Sequence, residues 1–134
     1  LDLYDVSDLS NPALSSQYQF AANYYSPALY DHHSIAMLYD QNNESMKLTL
    51  PAQSYGISPD SLKAGLYLFD VDTSAGEISL NGSLSTRDND ELSTSWSSVY
   101  DTRAIIDGEN FHYVTPQPVY SAPWAEPNDV SITP

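Results

Sequence analysis

The sequence contains no cysteine and only four lysines and arginines, against 18 acidic residues. The lack of cysteine excludes disulfides and thiol chemistry. The net charge of -14 excludes simple nucleic-acid binding, because a phosphate backbone needs a basic surface. It also disfavours an anionic membrane surface. No apolar run approaches the ~20 residues of a membrane-spanning helix, so we expect no membrane insertion. An acidic surface of this kind suits solubility in a salty medium.

Tyrosine, proline, serine and threonine are plentiful, and together they favour β structure with frequent turns. The segment 1–6 alternates apolar and polar side chains, as a half-buried strand does. Segments 66–71 and 77–84 predict a hairpin, and a second hairpin is predicted around Asp107-Gly108, a favoured tight-turn pair. No segment favours an α-helix. The sequence therefore predicts an all-β protein.

Two stretches of the chain repeat one another. The stretch LDLYDV at 1–6 aligns with LYLFDV at 66–71, an offset of 66 − 1 = 65 residues, and a polar turn and an alternating strand follow each copy. One hairpin cannot bury its own apolar face, so repeated units of this size must stack on neighbouring sheets.

The repeated stretches carry a family resemblance. LYDVSDLSNP at 3–12, SPALYDHHSIAML at 26–38 and GLYLFDVD at 65–72 resemble the secreted bacterial and archaeal C-terminal β-propeller domain family, which is distantly related to WD repeats. The resemblance covers roughly residues 1–115 and departs from the family at His33, where lysine is frequent. It implies β-propeller blades and a secreted or cell-envelope location, and it implies no particular activity.

The chain is too short to close a propeller ring. Propellers have ~4–8 blades of ~40–50 residues each, so we expect two to three blades within 1–115 and an irregular proline-rich tail at 116–134. Because the sequence begins in a strand-like pattern without an initiator methionine, we expect a fragment or a processed piece of a longer protein. Its exposed sheet edges should be covered by self-association or by the missing blades.

Asp31, His32 and His33 form the first candidate site. The apolar run from His33 to Tyr39 predicts a strand, on which His32 and His33 would point to opposite faces and could not share a metal ion. A metal site would also need His112 from a distant hairpin. A catalytic pair is a further alternative. The favoured interpretation is a structural hydrogen bond between Asp31 and His32 at the entry to a blade.

Asp70, Asp72 and Glu77 form the second candidate, an irregular Ca²⁺ site. An EF-hand loop requires glycine at its sixth position and glutamate at its twelfth. Counted from Asp70, these positions hold Ala75 and Asn81, so the motif fails. A hairpin turn is the favoured interpretation, with Ca²⁺ as the one cofactor left open.

A binding function is favoured over catalysis because the sequence has no nucleophile motif and no phosphate-binding loop. We expect a non-catalytic scaffold that binds a protein or a glycan at the cell surface through loops 51–63 and 86–95. Tyr24, Tyr25 and Trp96 are candidates for an aromatic binding surface. The alternatives are a propeller hydrolase or lyase with a site around Asp31 and His32, and a Ca²⁺-dependent carbohydrate-binding domain.

Overall fold

The computed structural model describes residues 1–54, 64–85, 99–116 and 118–134. Within these ranges the chain forms strands and three short 3-10 helices, and it contains no α-helix. The prediction of an all-β protein is confirmed. No helix in the described part of the chain is long and apolar enough to span a membrane. The strands are β1 Asp2–Asp5, β2 Ala13–Gln17, β3 Tyr24–Tyr25, β4 Ala36–Asp40, β5 Ser45–Ser54, β6 Ala64–Asp72, β7 Glu77–Ser85, β8 Arg103–Asp107, β9 Asn110–Val114, β10 Val119–Pro123 and β11 Ser131–Thr133.

The strands form three antiparallel sheets. Strands β1 and β2 make a two-stranded hairpin sheet. In the central sheet, β3 and β4 both pair with β5, and β6 and β7 follow in order. The C-terminal sheet has the order β8-β9-β10-β11. Each larger sheet is a meander of the kind that forms a propeller blade, and the hairpin sheet is part of a third. This arrangement fits the predicted incomplete propeller.

The predicted repeat is visible in the backbone. Strand pairing slips between Leu3 and Tyr4 in the hairpin sheet, and between Leu68 and Phe69 in the central sheet. The two steps are 68 − 3 = 65 residues apart, which is the offset of the sequence repeat. Each slip is a β-bulge, a feature that bends a strand at a fixed point. Strands β1 and β6 are therefore equivalent strands of two sheets.

The equivalent positions differ in burial. Phe69 and Val71 in β6 are 0% and 2% exposed, whereas their counterparts Tyr4 and Val6 are 50% and 53% exposed. Strand β6 lies between β5 and β7, whereas β1 pairs only with β2 among the described strands. The apolar residues of β1 therefore lack the neighbours that bury their repeats.

Both faces of the central sheet are covered, which explains the continuous apolar run at 66–69. Leu66, Leu68 and Leu84 pack against aromatic residues of the C-terminal sheet, including Phe111 and Tyr113. The opposite face carries a second apolar cluster. Its members are Leu48, Leu50, Ala52 and Phe69, with Tyr18 and Phe20 packed against them. Each large side chain buried in this way contributes roughly 1.5–3 kcal/mol of transfer free energy.

The prediction of an irregular tail at 116–134 is wrong. Strands β10 and β11 lie within it, and β10 pairs with β9 across the predicted boundary at 115. Side chains alternate between the two faces of β10, as in any strand, and Tyr120 and Ala122 point inward and are buried. The prolines do not interrupt the strand because Pro118 precedes it and Pro123 ends it.

Candidate functional site

Three 3-10 turns place a group of polar and aromatic side chains together. Pro27–Leu29 and His32–Ser34 precede β4, and Val99–Asp101 precedes β8. An ion pair between Asp31 and Arg103 joins the two regions at 2.9 Å. We call this surface the turn patch; it comprises Tyr25, Tyr30, Asp31, His32, His33, Tyr100 and Arg103.

Local capping bonds explain why the chain turns before β4. The Ser26 hydroxyl accepts a hydrogen bond from the Ala28 amide at 3.2 Å and donates one to the Pro51 carbonyl at 2.6 Å. Asp31 caps the second turn, where its Oδ1 accepts from the His33 amide at 3.0 Å. The buried Ser34 hydroxyl donates to the Asp31 carbonyl at 2.7 Å. Short polar side chains of this kind satisfy the free amides at a helix start.

The partners of Asp31 differ from the predicted ones. Its carboxylate bonds to the His33 amide and to Arg103, and the His33 Nδ1 lies 3.4 Å from Oδ1. The hydrogen bond from the His33 amide, with help from the Arg103 charge, lowers the pKa of Asp31. No hydrogen bond joins Asp31 to His32 in the described part of the chain. The predicted structural pair of Asp31 and His32 is therefore corrected to a pair of Asp31 with His33 and Arg103.

The two histidines lie side by side. The prediction that His33 begins a strand is wrong, because residues 32–34 form a 3-10 turn and β4 begins at Ala36. The turn places the two imidazole centroids 4.0 Å apart instead of on opposite faces. One nitrogen from each ring and one oxygen of Asp31 lie within 4.8 Å of one another. His112, the third metal ligand that the sequence analysis considered, bonds instead through Nδ1 to Ser121 Oγ at 2.8 Å.

The aromatic candidates divide between the core and the surface. Tyr25 stacks on Tyr30 with centroids 6.3 Å apart and lies 5.4 Å from Tyr100. Tyr30 is 83% exposed and Tyr100 is 48% exposed. Trp96, the remaining predicted aromatic residue, lies outside the described residues.

Tyr24 faces the other way, since neighbouring strand residues point to opposite sides. It stacks on Phe20, and its hydroxyl accepts a hydrogen bond from Tyr67 at 3.2 Å. Burial, followed by the bond to Tyr24, raises the pKa of Tyr67 well above its usual value. Tyr24 therefore belongs to the core, and Tyr25 belongs to the turn patch.

The predicted binding loops are only partly described. Of 51–63, residues 51–54 belong to β5, where Ala52 and Ser54 are buried. This part of the predicted loop is a core strand, because it pairs with both β3 and β6. Residues 55–63 and the whole of 86–95 lie outside the described residues.

The predicted Ca²⁺ ligands have other partners. Asp70 Oδ1 accepts a hydrogen bond from Trp124 Nε1 at 2.8 Å. Asp72 Oδ1 accepts from the Ser74 hydroxyl and the Ala75 amide, both at 2.7 Å, and these bonds lower its pKa. Glu77 lies opposite Asp72 in the pairing of β6 with β7. The carboxylates of Asp70, Asp72 and Glu77 nevertheless form no close ligand cluster among the described residues. Asp72 thus has the turn role that the favoured interpretation gave it.

Trp124 is a structural residue that the sequence analysis missed. Its ring is 4% exposed and packs edge-on against Phe111. Its amide donates to the Glu109 carbonyl at 2.7 Å, and its carbonyl accepts from Asn81 Nδ2 at 2.7 Å. Together with the bond to Asp70, these contacts connect the C-terminal sheet to the central one. A lone tryptophan in a proline-rich segment was the available signal.

A lysine strengthens the same junction. Lys47 Nζ lies 5.6 Å from the Trp124 ring centroid, within cation–π range. It also donates to the Gly108 carbonyl and pairs with Glu109, both at 2.9 Å. One of the four cations of the chain therefore holds two sheets together.

Comparison with known proteins gives one result. A family model described as a beta propeller domain matches residues 1–126. The match extends beyond the predicted limit at 115 and includes β10. Searches of curated proteins and of solved structures return no match.

Proposed function

Since this chain belongs to the beta propeller domain family, we propose that it is a non-catalytic binding scaffold, secreted or held at the cell envelope, whose contact surface is the turn patch. The observation that carries the proposal is the grouping of exposed tyrosines with Arg103 around one anchored turn. Tyrosine and arginine are the residues that most often dominate binding energy at protein interfaces.

The turn patch is anchored on buried structure. Tyr25 belongs to β3, which pairs with β5. Ser34, in the same 3-10 turn as the histidines, is fully buried, and the Ser26 hydroxyl donates to the Pro51 carbonyl in β5. The exposed rings of Tyr30 and Tyr100 are thus presented from fixed backbone. Pre-organisation of this kind lowers the entropy cost of binding.

The chemistry of Asp31 favours binding over catalysis. Its lowered pKa makes it a weak base and leaves it ionised at neutral pH, so it is poorly matched to general acid or base work. Its two oxygens are already engaged by the His33 amide and by Arg103.

A protein partner is favoured over a glycan. The patch mixes a guanidinium, a carboxylate and two imidazoles with its tyrosines, and such mixed charge suits complementary protein surfaces. A Ca²⁺-dependent carbohydrate-binding role has less support, because Asp70 and Asp72 are engaged by Trp124 and by the turn. The envelope location is supported by the acidic composition and by the sequence resemblance.

Site-specific photocrosslinking in the producing cells tests the proposal. A benzophenone side chain replaces Tyr30, and in a matched control it replaces Tyr39, which is also exposed but lies near the far end of β4. We expect position 30 to give discrete protein adducts and position 39 to lack them. Adding Arg103→Gln to the position-30 protein should reduce these adducts several-fold.

Three results would contradict the proposal. Identical adducts at positions 30 and 39 would show that the turn patch has no special role. Retention of the chain on an array of defined glycans, lost in Tyr30→Ala, would establish the carbohydrate alternative. Turnover of chromogenic ester or glycoside substrates that Asp31→Asn abolishes would establish an enzyme.

A further inference from the structure

We propose that Asp31, His32 and His33 bind a divalent transition-metal cation of the Zn²⁺ type. This inference goes beyond the proposed scaffold function, because the metal would bind to the isolated chain and needs no partner. Two imidazole nitrogens and a carboxylate oxygen are the ligand set that zinc accepts, whereas Ca²⁺ requires oxygen ligands.

The geometry is close to that of a metal site. Zinc bonds of ~2.0–2.1 Å in a tetrahedron place neighbouring ligand atoms about 3.3 Å apart. The His33 Nδ1 and Asp31 Oδ1 atoms are 3.4 Å apart. One ligand atom of each of the three residues lies within 4.8 Å of the other two, so side-chain rotation can bring the three onto one ion. Both imidazoles are exposed to solvent.

The backbone of the site is fixed without the imidazoles. The turn is held by the Asp31 cap and by the Ser34 hydroxyl, and the imidazole rings take no part in these bonds. The rings are therefore available as ligands on a pre-formed turn. Three protein ligands leave one tetrahedral position, which water or a partner's side chain can occupy.

Arg103 supplies a test that is specific to this geometry. Its guanidinium bonds to Asp31 Oδ2 at 2.9 Å and lies beside the proposed cation. The guanidinium and a cation bound to the same carboxylate are both positive and repel each other, so Arg103 should weaken metal binding. Removing that charge should tighten binding, an effect that adventitious binding to a scattered acidic surface would not show.

The experiment is titration calorimetry of the intact chain with Zn²⁺. We expect one bound ion per chain, proton release on binding and weaker binding in acid, because an imidazole ligates only when neutral. His32→Ala and His33→Ala should each weaken binding roughly ten-fold or more. Arg103→Gln should tighten it roughly three- to ten-fold.

His112→Ala is the matched control, because it removes the one other histidine of the chain. Its affinity for Zn²⁺ should stay within about two-fold of the parent chain. Far-UV circular dichroism of each variant confirms folding, and His32→Ala is the decisive variant because its ring is exposed. The proposal is overturned if His32→Ala and His33→Ala bind like the parent, or if His112→Ala loses as much affinity as they do.

Discussion

The bond between Trp124 and Asp70 gives the sharpest stability prediction. Trp124→Phe keeps an aromatic ring and removes the indole N–H that donates to Asp70 at 2.8 Å. A hydrogen bond to a charged group contributes about 1.5–3 kcal/mol. Because Asp70 is exposed, solvent screening reduces this to about 1 kcal/mol. The smaller ring adds about 1–2 kcal/mol for a cavity beside Phe111. The free energy of unfolding should fall by about 2–3 kcal/mol.

A double-mutant cycle separates these contributions. Urea unfolding followed by far-UV circular dichroism is measured for Trp124→Phe, for Asp70→Ala and for the double variant. The coupling energy should be about 1 kcal/mol if the hydrogen bond acts as described. Asp70→Asn is the matched control, because it keeps an acceptor oxygen and should cost less than Asp70→Ala. A coupling energy near zero would refute the assignment of Asp70 as a structural partner of Trp124.

Asp70→Asn, together with Glu77→Gln, tests the calcium alternative. A cation that binds only the folded chain raises the free energy of unfolding by RT ln(1 + [L]/Kd), where [L] is the free cation concentration. We expect millimolar Ca²⁺ to shift the melting temperatures of the parent chain and of Asp70→Asn equally, through general screening. A Ca²⁺ stabilisation that Asp70→Asn and Glu77→Gln both abolish would restore the predicted site at Asp70, Asp72 and Glu77.

Two further predictions concern pH and salt. Burial raises the pKa of Tyr113 to about 12, against an opposing effect from its hydrogen bond to Thr102. The stability from its neutral hydroxyl is complete below the ordinary tyrosine pKa of about 10 and falls as pH rises towards 12. Alkaline denaturation should therefore begin near pH 10 and be shallower in Tyr113→Phe; equal pH dependence would contradict this. We also propose that β1, which pairs only with β2 among the described strands, drives self-association through its free edge and the exposed residues Tyr4 and Val6 in and after it, and that the net charge of -14 opposes this association. Sedimentation coefficients should then rise as salt screens that charge, and a monomer at every salt concentration would show that this edge is stable alone.

The fold was largely predictable because its signals are local. Alternation identified β1, and the turn residues between 66–71 and 77–84 identified the hairpin of β6 and β7. The apolar run at 33–39 indicated a strand, of which β4 covers residues 36–40, with Met37 and Tyr39 exposed. The Asp107-Gly108 pair located the β8–β9 turn, where Gly108 has the positive φ of 58° that favours glycine. The tail was mispredicted because prolines were taken as evidence against strands throughout 116–134. The position of each proline is what counts, because a proline that precedes a strand or ends it leaves the pairing of the other strand residues intact.

The candidate site was less predictable because its contacts are distant in sequence. Asp31 and Arg103 are 72 residues apart, and no local sequence pattern predicts their ion pair. The sequence analysis placed Asp31 at a strand entry with His32 as its partner, but Asp31 caps a 3-10 turn, and the cap determines its partners. The strand assumption also separated His32 from His33, which the turn places side by side. Trp124 was missed for the same reason, since its contacts come from β5, β6, β7, β9 and the β8–β9 turn.

The matching bulges at Leu3/Tyr4 and Leu68/Phe69 bear on how such a chain can grow. A copied gene segment of this length would carry its own strand register, because the bulge fixes where the paired strands slip. The new sheet would not depend on its neighbours to align its strands; it would need only an apolar face to stack on. Lengthening by tandem duplication is thus structurally simple here. Changes in the loops could then diversify each copy while the sheet beneath them stays the same.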